Sequence, residues 1–416
     1  MCETLSNGRA APRSAPCTKA DRQPSLRPVA SGVILSFFRD LSATIRVNLS
    51  RHFFANGYMM GLCASKPTTE GGVYRYDAGG ERSGGKSAAS SSNSSPTSSP
   101  SSYHLDNLPK RARDKARALE NALKHTSIAH TNPQLAAYAD AVLQAASKDG
   151  VNPEISRHDA ENIEALADTY NARYPELNLS CFASPESFLE RLYTSSAPAW
   201  RALVRLSNNA THRIAADVRT HADGEKTVLL IESALAFGWN AVTGKHDFMA
   251  GLLSLQKNVD MHFNNLKMAV INVDAQKSRI GCMVFSLNLV LSAYQKSDFV
   301  SALHERLNDN GRCYESHEGN SEFVSGMEYI DGVKVLPAVF YKHAHSRATV
   351  EEVIRNQPHL QNSNVRTNRS SPHETLQDRL QAFRITRKSI TGKDRSYSMS
   401  IEASRMRKIR KAIEDL

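Results

Sequence analysis

The stretch from 266 to 293 restricts the fold more than any other. Leu266–Val273 (L-K-M-A-V-I-N-V) is an apolar run of strand length, Asp274 to Gly281 follow as a largely polar connection, and Cys282 then heads a helical stretch. Met283, Val284, Phe285, Leu287, Leu289, Val290, Leu291 and Ala293 leave that helix almost no polar face. A helix apolar all round has to be buried, so only its N-terminus remains accessible. A thiol in the first helical turn feels the positive end of the macrodipole and unpaired backbone N–H groups, which favour thiolate over thiol. Gln276, six residues upstream, is placed to swing its amide back and donate to a developing oxyanion alongside backbone N–H groups. A lone cysteine in an apolar helix is most often one more buried residue, so partners elsewhere decide its role.

Two such partners fall at strand ends. Thr211–Arg219 alternates, with His212, Ile214, Ala216 and Val218 on one face and Arg213, Asp217 and Arg219 on the other. A turn follows, and Thr227–Ser233 is a buried strand, so the unit is a β-hairpin with His212 and Glu232 near its open end. A two-residue turn at Asp223-Gly224 would put Glu232 on the face opposite His212, so the loop has to shift the register or a bulge has to turn the carboxylate. A Cys–His–acid set suffices for acyl transfer: imidazole takes the thiol proton, and the carboxylate fixes its tautomer and steadies the imidazolium.

The 416 residues are 40% hydrophobic and 23% charged, an ordinary globular balance for one to three domains, and no apolar run reaches the roughly 18 residues of a membrane helix. Six cysteines without CxxC spacing argue against a zinc ribbon or a disulfide framework and fit a reducing compartment. Of the net charge of +10, residues 1–59 supply +5, from eight Lys/Arg against three Asp/Glu. That segment reads as an extension upstream of the native start, because Met60 opens M-G-L-C-A-S-K-P, an N-myristoylation signal with Gly61 as the acylated residue. Cys63 beside it is placed to take palmitate, the second signal that stable anchoring requires. Residues 67–102 are Gly-rich and then Ser-rich, a composition for a flexible tether. Gly80–Ser87 (G-E-R-S-G-G-K-S) matches the phosphate-loop pattern letter for letter, but no strand precedes it and a serine tract follows, so it is set aside as a nucleotide site.

Ordered structure is expected from about Asp106. Helices are expected from Leu108 to Leu123, with a basic face of Lys110, Arg111, Arg113, Lys115 and Arg117, and at 133–148, 154–170 and 185–193, with a further helical stretch around 248–259. Thr375 to Lys388 and Ser400 to Ile413 read as helices again. In the second, Met406, Ile409 and Ile413 line one face and Arg405, Arg407, Lys408, Arg410 and Lys411 the rest. Such convergent cations suit a small, highly phosphorylated polyanion; no nucleic-acid motif accompanies them, so no nucleic acid is expected. Lys342 beside His343 and His345 reads as a surface lysine with too few ligands for a metal, Cys313 and His317 are equally short of ligands, and no metal is expected.

The order His, then Glu about twenty residues on, then Gln-x5-Cys at a strand-to-helix junction resembles the ubiquitin-like-protease clan of cysteine enzymes. H-R-I-A-A-D-V-R, L-L-I-E-S, D-A-Q-K-S, R-Y-P-E-L-N-L-S and L-P-A-V-F-Y-K-H-A-H-S are more specific and resemble the YopJ family of type III secreted effector acetyltransferases; M-G-L-C-A-S-K-P is similar to its XopJ branch. The resemblance spans roughly residues 105–415. Gly281 departs from it, since Asp is common before the cysteine. The resemblance implies an α+β fold, with a ubiquitin-like-protease-like triad core and a helical regulatory layer from both flanks. Residues 1–59 would be the extension, 60–104 the lipidated tether, 105–200 the helical flank, 201–350 the catalytic core and 351–416 the C-terminal basic helices. It further implies acetyl transfer from acetyl-CoA to Ser, Thr or Lys of host proteins, activation by inositol hexakisphosphate, type III delivery and residence at the host plasma membrane. His212, Glu232 and Cys282 would be the triad, Gln276 an oxyanion donor and Lys342 the self-acetylated lysine. Lys277, Lys342, His343 and Arg395 are candidates for the activator or coenzyme A. A cysteine protease of ubiquitin-like conjugates and a catalytically weak adaptor or decoy stand as alternatives.

Overall fold

The apolar run before Cys282 is the fifth strand of a seven-stranded mixed sheet. The computed structural model describes residues 103–148, 154–206, 212–234, 239–240, 245–246, 255, 265–278, 281–324, 327–366, 371–388 and 394–416. The upstream extension, Gly61, Cys63, the tether and the phosphate-loop pattern lie outside the described residues, as does the expected helix around 248–259 apart from Leu255. The sheet strands are β1 (Leu179–Phe182), β2 (Ala199–Arg205), β3 (Arg213–Thr220), β4 (Lys226–Glu232), β5 (Leu266–Asn272), β6 (Ser321–Val324) and β7 (Met327–Asp331). They lie in the order β1-β2-β3-β4-β5-β7-β6. β2, β3 and β4 are antiparallel neighbours, whereas β4, β5 and β7 run parallel, with their C-terminal ends at one edge.

Because side chains alternate across a strand, each strand feeds two cores. One holds Leu203, Ala215, Leu229, Ile231, Ala269, Ile271 and Ile330. It is covered by α5 (Cys282–Gln295), whose twelve residues from Cys282 to Ala293 are all buried. The other holds Val204, Ile214, Ala216, Val218, Val228, Leu230 and Val270, covered by Phe188, Leu189 and Leu192 of α4 (Pro185–Thr194). Helices on both faces explain why β4 is buried along nearly its whole length.

The remaining helices pack as a layer. α1 (Lys110–His125), α2 (Pro133–Ser147) and α3 (Glu154–Arg173) come from the N-terminal flank, and α9 (Ser400–Glu414) comes from the C-terminus. α9 packs on α1, α2, α3 and α5 together. Helix α6 (Ser297–Asn310) follows α5 directly, while α7 (Arg347–Asn356) and α8 (Leu376–Ala382) precede a small hairpin of β8 (Arg384–Lys388) and β9 (Asp394–Ser398). This hairpin corrects the expected helix from Thr375 to Lys388. The helical part ends at Ala382, and R-I-T-R-K pairs with D-R-S-Y-S, where the β-branched Ile385 and Thr386 suit a strand.

β1 and β2 also went unread in the sequence. Arg201 is buried mid-strand in β2, with its Nε 2.8 Å from Asp217 Oδ2 on β3. Asp217 in turn meets His304 of α6 at 3.1 Å. Charged residues at core positions break the apolar alternation that announces a strand.

Candidate active site

The hairpin loop settles where Glu232 points. Thr220 pairs with Lys226, the His221 amide donates to the Glu225 carbonyl at 2.8 Å, and the Gly224 amide returns to the His221 carbonyl at 3.0 Å. The tip is therefore three residues, 222–224, with Gly224 at φ +85°, the left-handed place that a three-residue hairpin requires. One extra loop residue shifts the register by one, so Ala216 faces Leu230 and the even-numbered residues of both strands share a face. Glu232 falls on the side of Ile214, and His212 just ahead of β3 reaches it: His212 Nε2 lies 2.8 Å from Glu232 Oε2.

Glu232 is fully buried and held from several sides. Its Oε1 accepts the Ala234 amide at 2.8 Å and faces the Ser233 hydroxyl at 3.4 Å. The same hydroxyl donates to Gln276 Oε1 at 2.8 Å, Gln276 Nε2 donates to the Ser278 carbonyl at 2.7 Å, and the Gln276 amide bonds the Ser233 carbonyl at 2.9 Å. Gln276 is thus fixed in the loop before Cys282 and linked to the carboxylate through Ser233, a partner that nothing in the sequence pattern singled out. With Nε2–H given to Glu232, the imidazole presents Nδ1 as its basic nitrogen.

Cys282 is the first residue of α5 and 6% exposed. Gly281 before it caps the helix at φ +98°, and the first amides of the helix have no intrahelical acceptor. One turn on, the Ser286 hydroxyl donates to the Arg213 carbonyl at 2.8 Å, which ties α5 to the start of β3 beside His212. A thiol at a helix N-terminus, an imidazole paired with a buried carboxylate and helix amides without intrahelical acceptors are the groups that acyl transfer employs.

Lys342 corrects the surface reading. It follows the turn Ala338–Tyr341 and is buried, and burial, then Arg407 and Arg379, push its ammonium down to about 7. Its carbonyl accepts from Arg379 Nε at 2.6 Å and from the Ser400 hydroxyl at 3.2 Å. His343 bonds the Ser400 hydroxyl through Nδ1 at 2.8 Å, and burial next to Arg379, Lys342 and Lys408 keeps it neutral. His345 Nδ1 accepts the Lys277 amide at 3.1 Å, and burial, Arg405 and Lys277 push it down to about 4. His345 also lines a cleft of about 420 Å³ with Arg347, Gln377, Gln381, Arg384 and Tyr397. Lys277 pairs with Asp274 at 2.7 Å, and Arg395 stands on β9 in register with Arg387. Among the described residues, no group of three His, Cys, Asp or Glu is arranged to hold a metal.

Sequence reading did not foresee how many cations gather around Lys342. Lys408 is fully buried, donating to the Tyr170 hydroxyl at 3.2 Å with its ammonium 4.6 Å from that ring, and burial, Arg407 and Lys342 hold its pKa far down. Arg111, Arg366 and Arg379 converge on the one carboxylate of Glu374, whose pKa stays low despite its burial. Lys115 is pushed down by burial and by Arg407 and Arg410. The basic residues of α1 and α9 are therefore not simply solvated faces; several lie in the seam between the flanks and the F-Y-K-H segment.

A family model described as YopJ Serine/Threonine acetyltransferase matches residues 135–411. A serine/threonine-protein acetyltransferase of Sinorhizobium fredii is 34% identical over 218 residues, 51% of this chain and 79% of that protein. The serine/threonine-protein acetyltransferase HopZ1a of Pseudomonas syringae is 24% identical over 310 residues, 69% of this chain and 83% of its own length. The crystal structure of HopZ1a in complex with IP6 and CoA superposes with a TM-score of 0.60 at 23% identity, covering 74% of this chain and 99% of that one. The folds are alike.

Proposed function

Because the chain belongs to the YopJ serine/threonine acetyltransferase family, we propose that it carries an acetyl group from acetyl-CoA on Cys282 to Ser, Thr or Lys of host proteins and to its own Lys342. The observation that carries this is the 2.8 Å pairing of His212 with a buried Glu232, His212 standing next to Arg213 of β3, which α5 ties down one turn from Cys282. His212 Nδ1 takes the thiol proton as Cys282 sulfur bonds to the acetyl carbonyl carbon. The oxyanion is met by the first amides of α5 and by Gln276, and the carbon–sulfur bond to coenzyme A breaks as His212 returns the proton to the leaving thiolate. His212 then accepts the proton of the incoming hydroxyl or amine as it attacks the thioester, and Cys282 departs. Glu232 holds the imidazole throughout and steadies its charged form.

Inositol hexakisphosphate fits the cation cluster as activator. The buried side chains of Lys342 and Lys408 are held short of protons by burial first and by neighbouring cations second, and an anion there would help restore them. Lys115, Arg379 and Arg407 stand in the same cluster, His343 beside it, and Lys277 and Arg395 are further candidates for phosphates of either ligand. When bound, the polyanion supplies negative charge and nothing else to the chemistry. HopZ1a, crystallised in complex with IP6 and CoA, supports the pairing of these two ligands.

Gly61 and Cys63 would place the delivered effector on the host plasma membrane; Gly61→Ala should move protein begun at Met60 into the soluble fraction, and retention on membrane would sink the lipid reading. For the enzyme, intact-mass spectrometry with acetyl-CoA should show added acetyl groups and free coenzyme A, more with inositol hexakisphosphate, and neither in Cys282→Ala. If acetyl-CoA stays intact in the presence of the polyanion, the transferase reading fails.

A further inference from the structure

The ion pair of Arg405 with Asp159 takes no part in the steps above, yet it lies against the helix that carries Cys282. Arg405 on α9 is 4% exposed and Asp159 on α3 is 1% exposed. Nε meets Oδ1 at 2.8 Å and Nη2 meets Oδ2 at 2.9 Å, a two-pronged fork, and the Tyr138 hydroxyl of α2 donates to the same carboxylate. The guanidinium also reaches the cap of α5: a Cβ placed on Gly281 would stand 3.1 Å from Arg405 Nη2. The glycine leaves the space that the guanidinium fills, and its φ of +98° is one that glycine adopts freely. Ser404, the neighbouring residue, donates to Asn288 of α5 at 3.1 Å. Elements of both flanks thus meet the residue before Cys282 at one charged contact.

We infer that Arg405, held by Asp159, is a positioning residue for Cys282. Its planar fork fixes direction as well as distance, so α2 and α3 set where the guanidinium rests, and the guanidinium sets the backbone of Gly281 and the aim of the first turn of α5. Packing of the helical layer is thereby transmitted to the nucleophile. A buried ion pair that loses its carboxylate leaves an uncompensated guanidinium, which is strongly destabilising. Asp159 supplies that carboxylate here, and position 281 is a second place, within reach of Nη2, from which a carboxylate can be supplied. The inference rests on reading Cys282 as the acyl carrier.

The test uses the full chain with Asp159→Asn, Arg405→Lys, Gly281→Asp and the double variant Asp159→Asn/Gly281→Asp. Two rates are read at a temperature well below each variant's melting point: alkylation of Cys282 by iodoacetamide, followed on its own peptide by mass spectrometry, and release of coenzyme A from acetyl-CoA. Asp159→Asn should slow both by about tenfold, less than the roughly 10²-fold that a full 1 Å misplacement of a reacting group can cost. Arg405→Lys, which keeps the charge and loses the fork, should be as slow. The double variant should recover to within about threefold of wild type while melting no higher than Asp159→Asn, since Asp at 281 adds backbone strain. A merely structural tie predicts no recovery. Alkylation of Asp159→Asn at the wild-type rate, or a double variant no faster than that single one, overturns the inference. Alkylation needs no acetyl donor: if it follows the expected pattern while wild type releases no coenzyme A, the positioning role stands and the acetyl-transfer reading falls.

Discussion

The edge of the sheet and the seam of the helical layer treat charge in opposite ways. At the sheet edge one buried carboxylate faces one imidazole, and the remaining acceptor sites of Glu232 are filled by an amide and a hydroxyl. In the seam, cations outnumber carboxylates among the described residues: Glu374 serves three guanidiniums, and Lys408 bonds the Tyr170 hydroxyl with Arg407 and Lys342 nearby. The first region is organised for chemistry as it stands, because its charge is met by fixed groups. The second holds desolvated cations whose pKa values have been forced down, a state that an added anion relieves. On the proposed function, preorganisation and ligand dependence would be built into separate parts of one chain.

The largest effect that would test this division is loss of the triad. Cys282→Ala should abolish coenzyme A release, and His212→Ala should lower it by about 10³-fold or more, since members of a triad act as one unit. Glu232→Ala should retain more activity than either, because it orients the imidazole without touching the acyl group. All of Cys282→Ala's response to inositol hexakisphosphate in thermal melting should survive. A Cys282→Ala protein that no longer melts higher with the polyanion would show that the two regions are one site.

Much of the first region was legible because local rules govern it. The all-apolar helix after Cys282, the alternation from Arg213 to Val218 and the apolar run of β4 each state their own burial. The register was not legible: Asp223-Gly224 reads equally as a two-residue turn or as the end of a three-residue loop, and only the observed pairing of Thr220 with Lys226 separates them. The seam was read far less well. Arg405 and Lys408 alternate with Met406 and Ile409 and look like the wet side of an amphipathic helix, yet α9 is covered by α1, α2, α3 and α5 and both cations are buried. Burial of a charge depends on what approaches from elsewhere in the chain, Asp159 and Tyr170 in this case, and no window of sequence contains both.

A smaller effect sharpens the contrast from the other side. Lys408→Met keeps the length of the side chain and removes a charge that, among the described residues, bonds a tyrosine hydroxyl and no carboxylate. The ligand-free protein should melt about 1–2 °C higher, the shift expected for roughly 1 kcal/mol in a chain of this size. The gain on adding inositol hexakisphosphate, set by mass action, should shrink at the same ligand concentration. Differential scanning fluorimetry across a ligand series reads both. A variant that melts lower without ligand, yet keeps the full gain, would mean that Lys408 is a structural contact of Tyr170 and no part of a polyanion site.

The pH dependence reads the same contrast one proton at a time. Lys342 has a folded-state value of about 7 against an ordinary 10.5, so between these values the folded protein binds fewer protons than the unfolded chain. Stability then rises with pH across that window and is lost as pH falls toward 7, because folding must strip a proton that the unfolded lysine keeps. One proton of difference corresponds to about 1.4 kcal/mol per pH unit, or roughly 2 °C per unit for a chain of this size. Lys408, displaced in the same direction, adds to the slope. From pH 7.5 to 9 the melting temperature of the ligand-free protein should therefore climb, Lys342→Met should climb less, and the Lys342→Met/Lys408→Met pair should be nearly flat. With inositol hexakisphosphate bound, its negative charge raises both ammonium values toward 10.5, so the wild-type slope should flatten without any substitution. His345, pushed to about 4, works in a separate window, destabilising the fold as pH falls from 6.5 to 4, and the polyanion should leave that limb in place. A ligand-free slope that neither substitution reduces would mean that the seam is not short of protons, and the contrast between a charge-balanced edge and a charge-starved seam would fail.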